Sequence, residues 1–239
     1  MNRLFHPDSP VMNVIVKIGS ILIVNLVGVL LCIPVITAVP SFLAMYYALV
    51  KAVRADEGYP VKEYFHGLKL YFVRGLIAEV LLVLLGALLV FNRAYVPELK
   101  GWAAAAGVVL YDICLVFLVL LAVWVIPVLS RFTVSFGKYL KLLLSMAFRS
   151  LPFTIGAVIL TAGAVLLIWW KPVTVLVVPG LYLYLVSFLT EPVLRKYMPP
   201  KEAQNDWYYR IPVTFGELLS PKTIPEESSE EAQTEPDIK

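Results

Sequence analysis

The chain has 239 residues, of which 60% are hydrophobic and only 15% are charged, and its mean hydropathy is +0.81. A soluble domain of this length cannot bury so much apolar surface, so the composition excludes an ordinary soluble protein and indicates an integral membrane protein. The net charge of +3 says little by itself, because in a membrane protein the side on which each Lys and Arg lies matters more than the sum.

Apolar runs along the chain predict the membrane-spanning helices. A helix needs about 20 residues to cross the ~30 Å hydrocarbon core of a bilayer. The runs that reach or approach this length are, in chain order, 14–33, 36–50, 74–92, 106–128, 151–169 and 173–190. The sequence therefore predicts an all-α, polytopic membrane protein whose core is an antiparallel six-helix transmembrane bundle.

The first two runs form one nearly continuous apolar stretch over 14–50, and the distribution of charge decides between one span and two. With a cytoplasmic N-terminus and six crossings, the outward-facing segments contain only Arg93, Lys100 and Lys171, which leaves 17 of the 20 Lys and Arg (20 − 3) inside. A single span over 14–50 would reverse this positive-inside distribution. The sequence therefore predicts a hairpin, with an outer turn at the two prolines of IPVITAVP. The C-terminus is then cytoplasmic as well.

Two connections on the inner side have the pattern of amphipathic helices. In 58–75 and 131–152, apolar residues recur at helical spacing and polar residues fall between them. Both segments are predicted to lie in the inner membrane interface, and the alternative is that they continue adjacent spans into the cytoplasm. Their cations are expected to contact anionic lipid headgroups or a partner protein. The cations in question are Lys62, Lys69, Lys138, Lys141 and Arg149.

The C-terminal part of the chain differs in composition from the membrane domain, which covers 1–198. Segment 199–223 retains aromatic residues and is predicted to dock on the inner face. Segment 224–239 is acidic and poor in apolar residues, so it is predicted to be disordered.

Three polar residues fall inside predicted spans, where polar groups are costly and often functional: Asn25, Glu79 and Asp112. The helical rise places Glu79 ~8 Å from the inner boundary and Asp112 ~9 Å from the outer one, too far apart for a shared proton. Asn25, near the midplane, either hydrogen-bonds a neighbouring helix or contacts a substrate. Glu79 can pair with Arg74 or Lys69 near the interface, whereas Asp112 is expected to face a cavity in the bundle.

Signatures of enzymes and metal sites are missing from the sequence. The histidines, His6 and His66, have no Cys, Asp or Glu at metal-ligand spacing, and no G-x-S-x-G, H-E-x-x-H or P-loop occurs. Cys32 and Cys114 lie in apolar runs as expected of small buried thiols. The basic residues do not form a compact patch for nucleic acid. The sequence therefore predicts a protein that is not an enzyme and needs no metal or other cofactor.

Several segments of the chain resemble the YesL family of bacterial integral membrane proteins, over about residues 2–198. They are NRLFHPDSPVMNVIVKIGSILIVNLVGVLLCIPVITA, ALVKAVRADEGYPVKEYF, IPVLSRFTVSFGKYLKLLLSMAFRSLP and VPGLYLYLVSFLTEPVLRKYM. The chain departs from the family pattern at Ala38, where Gly is usual, and at Tyr71, where Asn is frequent. The resemblance implies a bacterial plasma-membrane protein with an accessory role beside carbohydrate ABC transporters, and it implies no catalytic residues.

Two functions follow as hypotheses. The first is a non-enzymatic accessory protein that binds carbohydrate transporter subunits through its inner helices. The alternative is a transporter or channel component in which Asn25, Glu79 and Asp112 form a polar path. An ABC permease subunit should carry an E-A-A-x-x-x-G coupling segment, and neither long inner connection contains one. Oligomeric state does not follow from the sequence.

Overall fold

A computed structural model of the chain describes residues 10–95, 102–132, 136–198 and 211. Over these ranges the fold is helical and contains no strand. The α-helices are α1 Pro10–Leu31, α2 Ala38–Ala48, α3 Pro60–Tyr95, α4 Trp102–Arg131, α5 Phe136–Arg149, α6 Leu151–Trp170 and α7 Val178–Arg195. Short 3-10 helices cover Val35–Thr37 and Pro172–Leu176, and a π-helix continues α2 over Leu49–Arg54.

Five helical segments are long and apolar enough to cross a membrane. They are Met12–Leu31, Val35–Arg54, Pro60–Tyr95, Ala104–Arg131 and Leu151–Trp170. The helical membrane class and the separation of the first two runs are therefore confirmed, whereas the predicted count of six spans is not. The difference is α7, which takes the place of run 173–190 but has only 18 residues, among them Glu191 and Arg195, and is not one of these five segments.

The predicted interfacial helix over 58–75 is not a separate element. It is the first part of α3, which has 36 residues and is about 54 Å long at the usual helical rise. Nothing in the sequence stops the helix where 58–75 meets run 74–92, because Gly75 is tolerated in a helix and no proline follows Pro60 within α3. The second inner connection does contain a separate helix, α5, which is shorter than predicted.

Helix α2 lies antiparallel along the N-terminal half of α3. Their contacts join, in order, Val39 to Glu79, Pro40 to Gly75, Tyr47 to Gly67 and Lys51 to Glu63. The C-terminal half of α3 runs on past the start of α2 and packs against α4, where Gly86 faces Leu118. The side chains of 43–50, in α2 and the start of the π-helix, are at most 5% exposed, so α2 is the central helix of the core.

The two hairpin turns share one construction. The Thr37 hydroxyl donates to the carbonyls of Leu31 and Pro34 at 2.6 and 2.8 Å, and the Thr174 hydroxyl donates to those of Leu167 and Lys171 at 3.1 and 2.7 Å. Each threonine hydroxyl thus contacts the C-terminal end of the preceding helix, and at Leu31 it reaches one of the last carbonyls of α1, which have no partner within the helix. After each turn, the next helix carries a proline in its first turn, where a missing N–H costs least.

We expect Gly75→Ala to destabilise the protein by about 1–3 kcal/mol, the usual cost of overpacking. A Cβ at this position would lie 2.8 Å from the Cα and 2.9 Å from the N of Pro40, and backbone atoms cannot move aside as a flexible side chain can. The matched control is Gly163→Ala in α6, where nothing lies within 4 Å of the added carbon. Thermal unfolding in detergent compares the two variants, and equal melting temperatures would contradict the close approach of α2 and α3.

Candidate functional site

Asn25 joins α1 to the start of α7. Its side chain is fully buried, its Nδ2 donates to the Val175 carbonyl at 3.3 Å, and its Oδ1 accepts the Gly180 N–H at 2.6 Å. The first N–H groups of a helix have no partner inside it, so Asn25 caps α7 from another helix. Gly180 permits this contact, because a Cβ there would lie 2.7 Å from the Asn25 Cβ. Of the two predicted roles for Asn25, the structure therefore shows the hydrogen bond to a neighbouring helix.

Glu79 has a similar place at the start of α2. Its side chain is buried, and its Oε2 accepts the Val39 N–H at 3.2 Å. The next residue, Pro40, has no N–H. The bond from Val39 to Glu79 therefore satisfies a backbone N–H that has no partner within α2. Among the described residues, the carboxylate therefore binds a backbone N–H and makes no ion pair with Arg74 or Lys69, contrary to the predicted pairing.

Asp112 pairs with Arg93 across the α3–α4 contact. The Arg93 Nε bonds Oδ1 of Asp112, and its Nη2 lies 3.3 Å from Oδ2. The two side chains are 43% and 47% exposed, so Asp112 lies on the perimeter of the bundle and does not face an enclosed cavity as the sequence predicted. The antiparallel register of α3 and α4 brings this cation to the carboxylate. Asn25, Glu79 and Asp112 thus have three separate sets of partners and do not contact one another.

The most deeply buried ionisable cluster was not predicted from the sequence. Glu191 on α7 is 1% exposed, and its Oε1 accepts hydrogen bonds from Arg131 on α4, at 2.8 Å from Nη2 and 3.1 Å from Nε. The Tyr46 hydroxyl on α2 donates to the same oxygen at 2.8 Å. The other carboxylate oxygen, Oε2, is buried and has no hydrogen-bond partner in the described part of the chain. This cluster of Tyr46, Arg131 and Glu191, here called the inner ionic cluster, ties three helices together.

A second cation lies beside the inner ionic cluster. Arg54, the last residue of the π-helix, is fully buried; its Nη1 donates to the Ser187 hydroxyl at 3.0 Å, and its guanidinium lies 4.1 Å from the centroid of the Phe188 ring. Stacking on an aromatic face suits the weakly hydrated guanidinium group. The Tyr46 hydroxyl also contacts the Thr190 hydroxyl at 2.9 Å. Five polar side chains therefore surround Glu191 where α2 with its π-helical end, α4 and α7 meet. They are Tyr46, Arg54, Arg131, Ser187 and Thr190.

The sequence contained a weak signal for this cluster. Arg131 and Glu191 lie just beyond the predicted ends of runs 106–128 and 173–190, and charges at the ends of spans are usually solvated. Each also lies within four residues of a proline inside its helix, Pro127 in α4 and Pro192 in α7. The sequence thus showed opposite charges, Arg131 and Glu191, at the predicted inner ends of two spans. Only the packing of α4 against α7 brings the two side chains into contact.

The described residues contain no group of three His, Cys, Asp or Glu that could hold a metal ion. Cys32 and Cys114 are free thiols, and His66 contacts the ring of Tyr47. Burial raises the pKa of the Cys32 thiol, which lies between the first two spans, so the reactive thiolate is disfavoured.

The predicted basic contacts lie on two different helices. Lys62 and Lys69 are exposed on α3, on the side opposite to the face that packs against α2. The cations Lys138, Lys141 and Arg149 are exposed on α5.

Of the predicted docking segment 199–223, only Ile211 is described. It is 2% exposed, and its carbonyl accepts a hydrogen bond from Arg195. The rest of that segment and the predicted disordered tail 224–239 lie outside the described residues.

Comparison with known families matches part of the chain. A family model described as "Protein of unknown function, DUF624" matches residues 21–93. This range covers the second half of α1, the first hairpin turn, α2 and most of α3, and it includes Asn25, Tyr46, Arg54 and Glu79. The match carries no activity, and it does not conflict with the resemblance to the YesL family. No curated protein and no solved structure matches the chain.

We expect Glu191→Leu to lower the free energy of unfolding by about 3–5 kcal/mol, because it leaves Arg131 buried beside no carboxylate. Adding Arg131→Met to that variant should restore most of the loss, since the unpaired charge is then removed as well. Denaturation in mixed micelles measures both variants and gives the coupling energy of the pair.

The control is the Lys17–Asp56 pair, whose ions lie 3.5 Å apart, with the Lys17 side chain 13% exposed and the Asp56 side chain 43% exposed. The variants Lys17→Met and Asp56→Asn should each change stability by about 1 kcal/mol, less than Glu191→Leu, because the Asp56 carboxylate stays in contact with solvent. A Glu191→Leu variant as stable as these controls would show that the inner ionic cluster is not desolvated.

Proposed function

We propose that this protein is a non-enzymatic accessory protein of the membrane, which holds a partner protein against its inner side. One observation carries the proposal: the polar residues inside the spans are engaged in holding helices in place. Asn25 caps α7, Glu79 caps α2, and Asp112 pairs with Arg93. Groups engaged in this way are not arranged as a continuous polar path for a solute.

The first part of α3 supplies the surface for the partner. One face of residues 60–75 packs against α2. Lys62 and Lys69 are exposed on the opposite face, and Val61 and Phe65 are exposed along the two edges between these faces. The Phe65 side chain is 45% exposed, and the Val61 side chain is 36% exposed. Exposed aromatic and aliphatic side chains flanked by cations are typical of protein–protein contact sites.

The nature of the partner comes from the resemblance to the YesL family, which implies subunits of a carbohydrate ABC transporter. The proposal therefore places the chain in a bacterial plasma membrane, with both termini and the first part of α3 in the cytoplasm. The positive-inside distribution of Lys and Arg supports this orientation. Labelling of Lys62→Cys and Lys100→Cys variants with an impermeant maleimide in intact cells tests it.

A second candidate, a transporter or channel component, is favoured by the inner ionic cluster. The buried Oε2 of Glu191 has no hydrogen-bond partner among the described residues, and a buried carboxylate oxygen in that state can accept a proton or a passing donor. In this candidate, Glu191 joins Asn25, Glu79 and Asp112 as a polar contact for the solute.

Affinity purification of the protein from its own membranes should retain carbohydrate transporter subunits in stoichiometric amounts. The double variant Val61→Ser/Phe65→Ser should reduce their recovery at least tenfold, since buried aromatic anchors contribute about 2 kcal/mol or more to an interface. The matched control is Val90→Ser/Phe91→Ser, which removes the same residue types from an exposed part of α3 beyond the start of α2. Equal recovery with both double variants would rule out the α3 surface.

Reconstitution into vesicles separates the two candidates. For an accessory protein, we expect no solute flux above that of empty vesicles with any sugar tested. For a transporter component, Asp112→Leu and Glu191→Gln should abolish flux while the amount of inserted protein stays unchanged. Flux through the isolated wild-type protein would overturn the accessory proposal.

A further inference from the structure

Helix α5 is the most strongly amphipathic of the described helices, and its surface is divided into three strips. The first strip packs against the rest of the protein. Met146 and Ala147 are buried, and together with the half-buried Tyr139 and Leu143 they contact the inner parts of α4 and α7. The protein thus occupies one side of α5 and leaves two sides uncovered.

The second strip is apolar and exposed. Leu140 is 46% exposed and Phe148 is 55% exposed, and the half-buried Leu144 lies between them at helical spacing. Residues four apart lie on one face of a helix, so the three side chains form a continuous apolar line. A large exposed aromatic side chain beside an exposed leucine needs an apolar environment.

The third strip is basic and lies directly beside the apolar one. Lys138, Lys141 and Arg149 are exposed, and α5 contains no acidic residue. None of the three forms an ion pair within the described ranges. A surface with three cations and an adjoining apolar line matches a membrane interface, where phosphate groups and acyl chains are adjacent layers.

The position of α5 in the chain restricts what it can contact. It lies between α4 and α6, and both of these are long and apolar enough to span the membrane. The connecting chain from Arg131 to Leu151 holds α5 at the surface where both helices end, so binding to lipid is an intramolecular event at high effective concentration. A protein partner would have to displace lipid from the apolar strip.

We propose that α5 binds anionic phospholipid of the membrane surface at which α4 and α6 meet. Leu140, Leu144 and Phe148 lie at the boundary of the acyl chains, and Lys138, Lys141 and Arg149 contact the phosphate groups. This surface differs from the partner surface proposed on α3. Binding of lipid requires no transporter subunit, so the proposal stands or falls independently of the accessory function.

Titration with phosphatidylglycerol tests the proposal. The full-length protein in a neutral detergent is titrated with this lipid, and native mass spectrometry measures the bound fraction. The variant Lys138→Gln/Lys141→Gln/Arg149→Gln should bind more weakly by about fivefold per charge, or roughly one hundred-fold in total. The zwitterionic lipid phosphatidylcholine should bind weakly to the wild type and to the variant.

The matched control is Lys62→Gln/Lys69→Gln/Lys171→Gln, which removes two exposed cations from α3 and one from the turn after α6 and changes the net charge equally. Affinity for phosphatidylglycerol should stay within about threefold of the wild-type value, which is less than the effect of one interfacial charge. Equal losses of affinity for phosphatidylglycerol in the two triple variants would overturn the proposal, because they would show that binding depends on the net charge of the protein and not on α5.

A second measurement reports the position of the apolar strip. Phe148→Cys, made in a Cys32→Ser/Cys114→Ser background, carries a nitroxide whose collisions with oxygen and with a water-soluble nickel complex are compared in nanodiscs. In phosphatidylglycerol discs, the label should collide more often with oxygen than with the nickel complex. The triple variant of α5 should increase its collisions with the nickel complex. A label that favours the nickel complex in the wild-type background would place α5 in water and overturn the proposal.

Discussion

The structure depends on how backbone N–H groups are satisfied where helices are interrupted in an apolar environment. Away from water, each unsatisfied N–H or carbonyl costs several kcal/mol, so a hairpin between apolar helices requires side chains that reach its exposed ends. Asn25 and Glu79 meet this requirement for α7 and α2, and Thr37 meets it at the end of α1. Two of the three polar residues inside the predicted spans, Asn25 and Glu79, are therefore explained by the hairpins themselves, and the third, Asp112, pairs with Arg93.

The inner ionic cluster follows from the same constraint, applied to charge. A buried carboxylate is tolerated when donors surround it, and Glu191 receives its donors from Arg131 and Tyr46. Such a cluster contributes little net stability compared with apolar packing, but removing one partner leaves a buried charge unpaired and lowers the free energy of unfolding. The cluster therefore favours one arrangement of α2, α4 and α7. The cluster thereby fixes α2, against which the first part of α3 packs, and α4 and α7, against which α5 packs.

Those exposed surfaces are where function is to be sought. The first part of α3 and the outer strips of α5 both combine cations with exposed apolar side chains, but their positions in the chain differ. Helix α5 lies between two candidate spans, α4 and α6, which under the lipid proposal hold it at the membrane surface, whereas the first part of α3 packs against α2 on one side and is exposed on the other. This difference is the physical basis for assigning lipid to one helix and a protein partner to the other.

By itself, the sequence determined the class of the protein, the separation of the first two apolar runs and the presence of an amphipathic helix within 131–152, because hydropathy and helical periodicity are local properties. It also identified Asn25 and Glu79 as unusual, but not their partners. Asn25 contacts Val175 and Arg131 contacts Glu191 across 150 and 60 residues of chain. Only the tertiary structure decided these pairs, and it also moved Asp112 from an expected cavity to the perimeter. The reason is that apolar side chains look alike in sequence whether they face lipid or protein, so helix packing, and with it every long-range polar contact, is left undetermined.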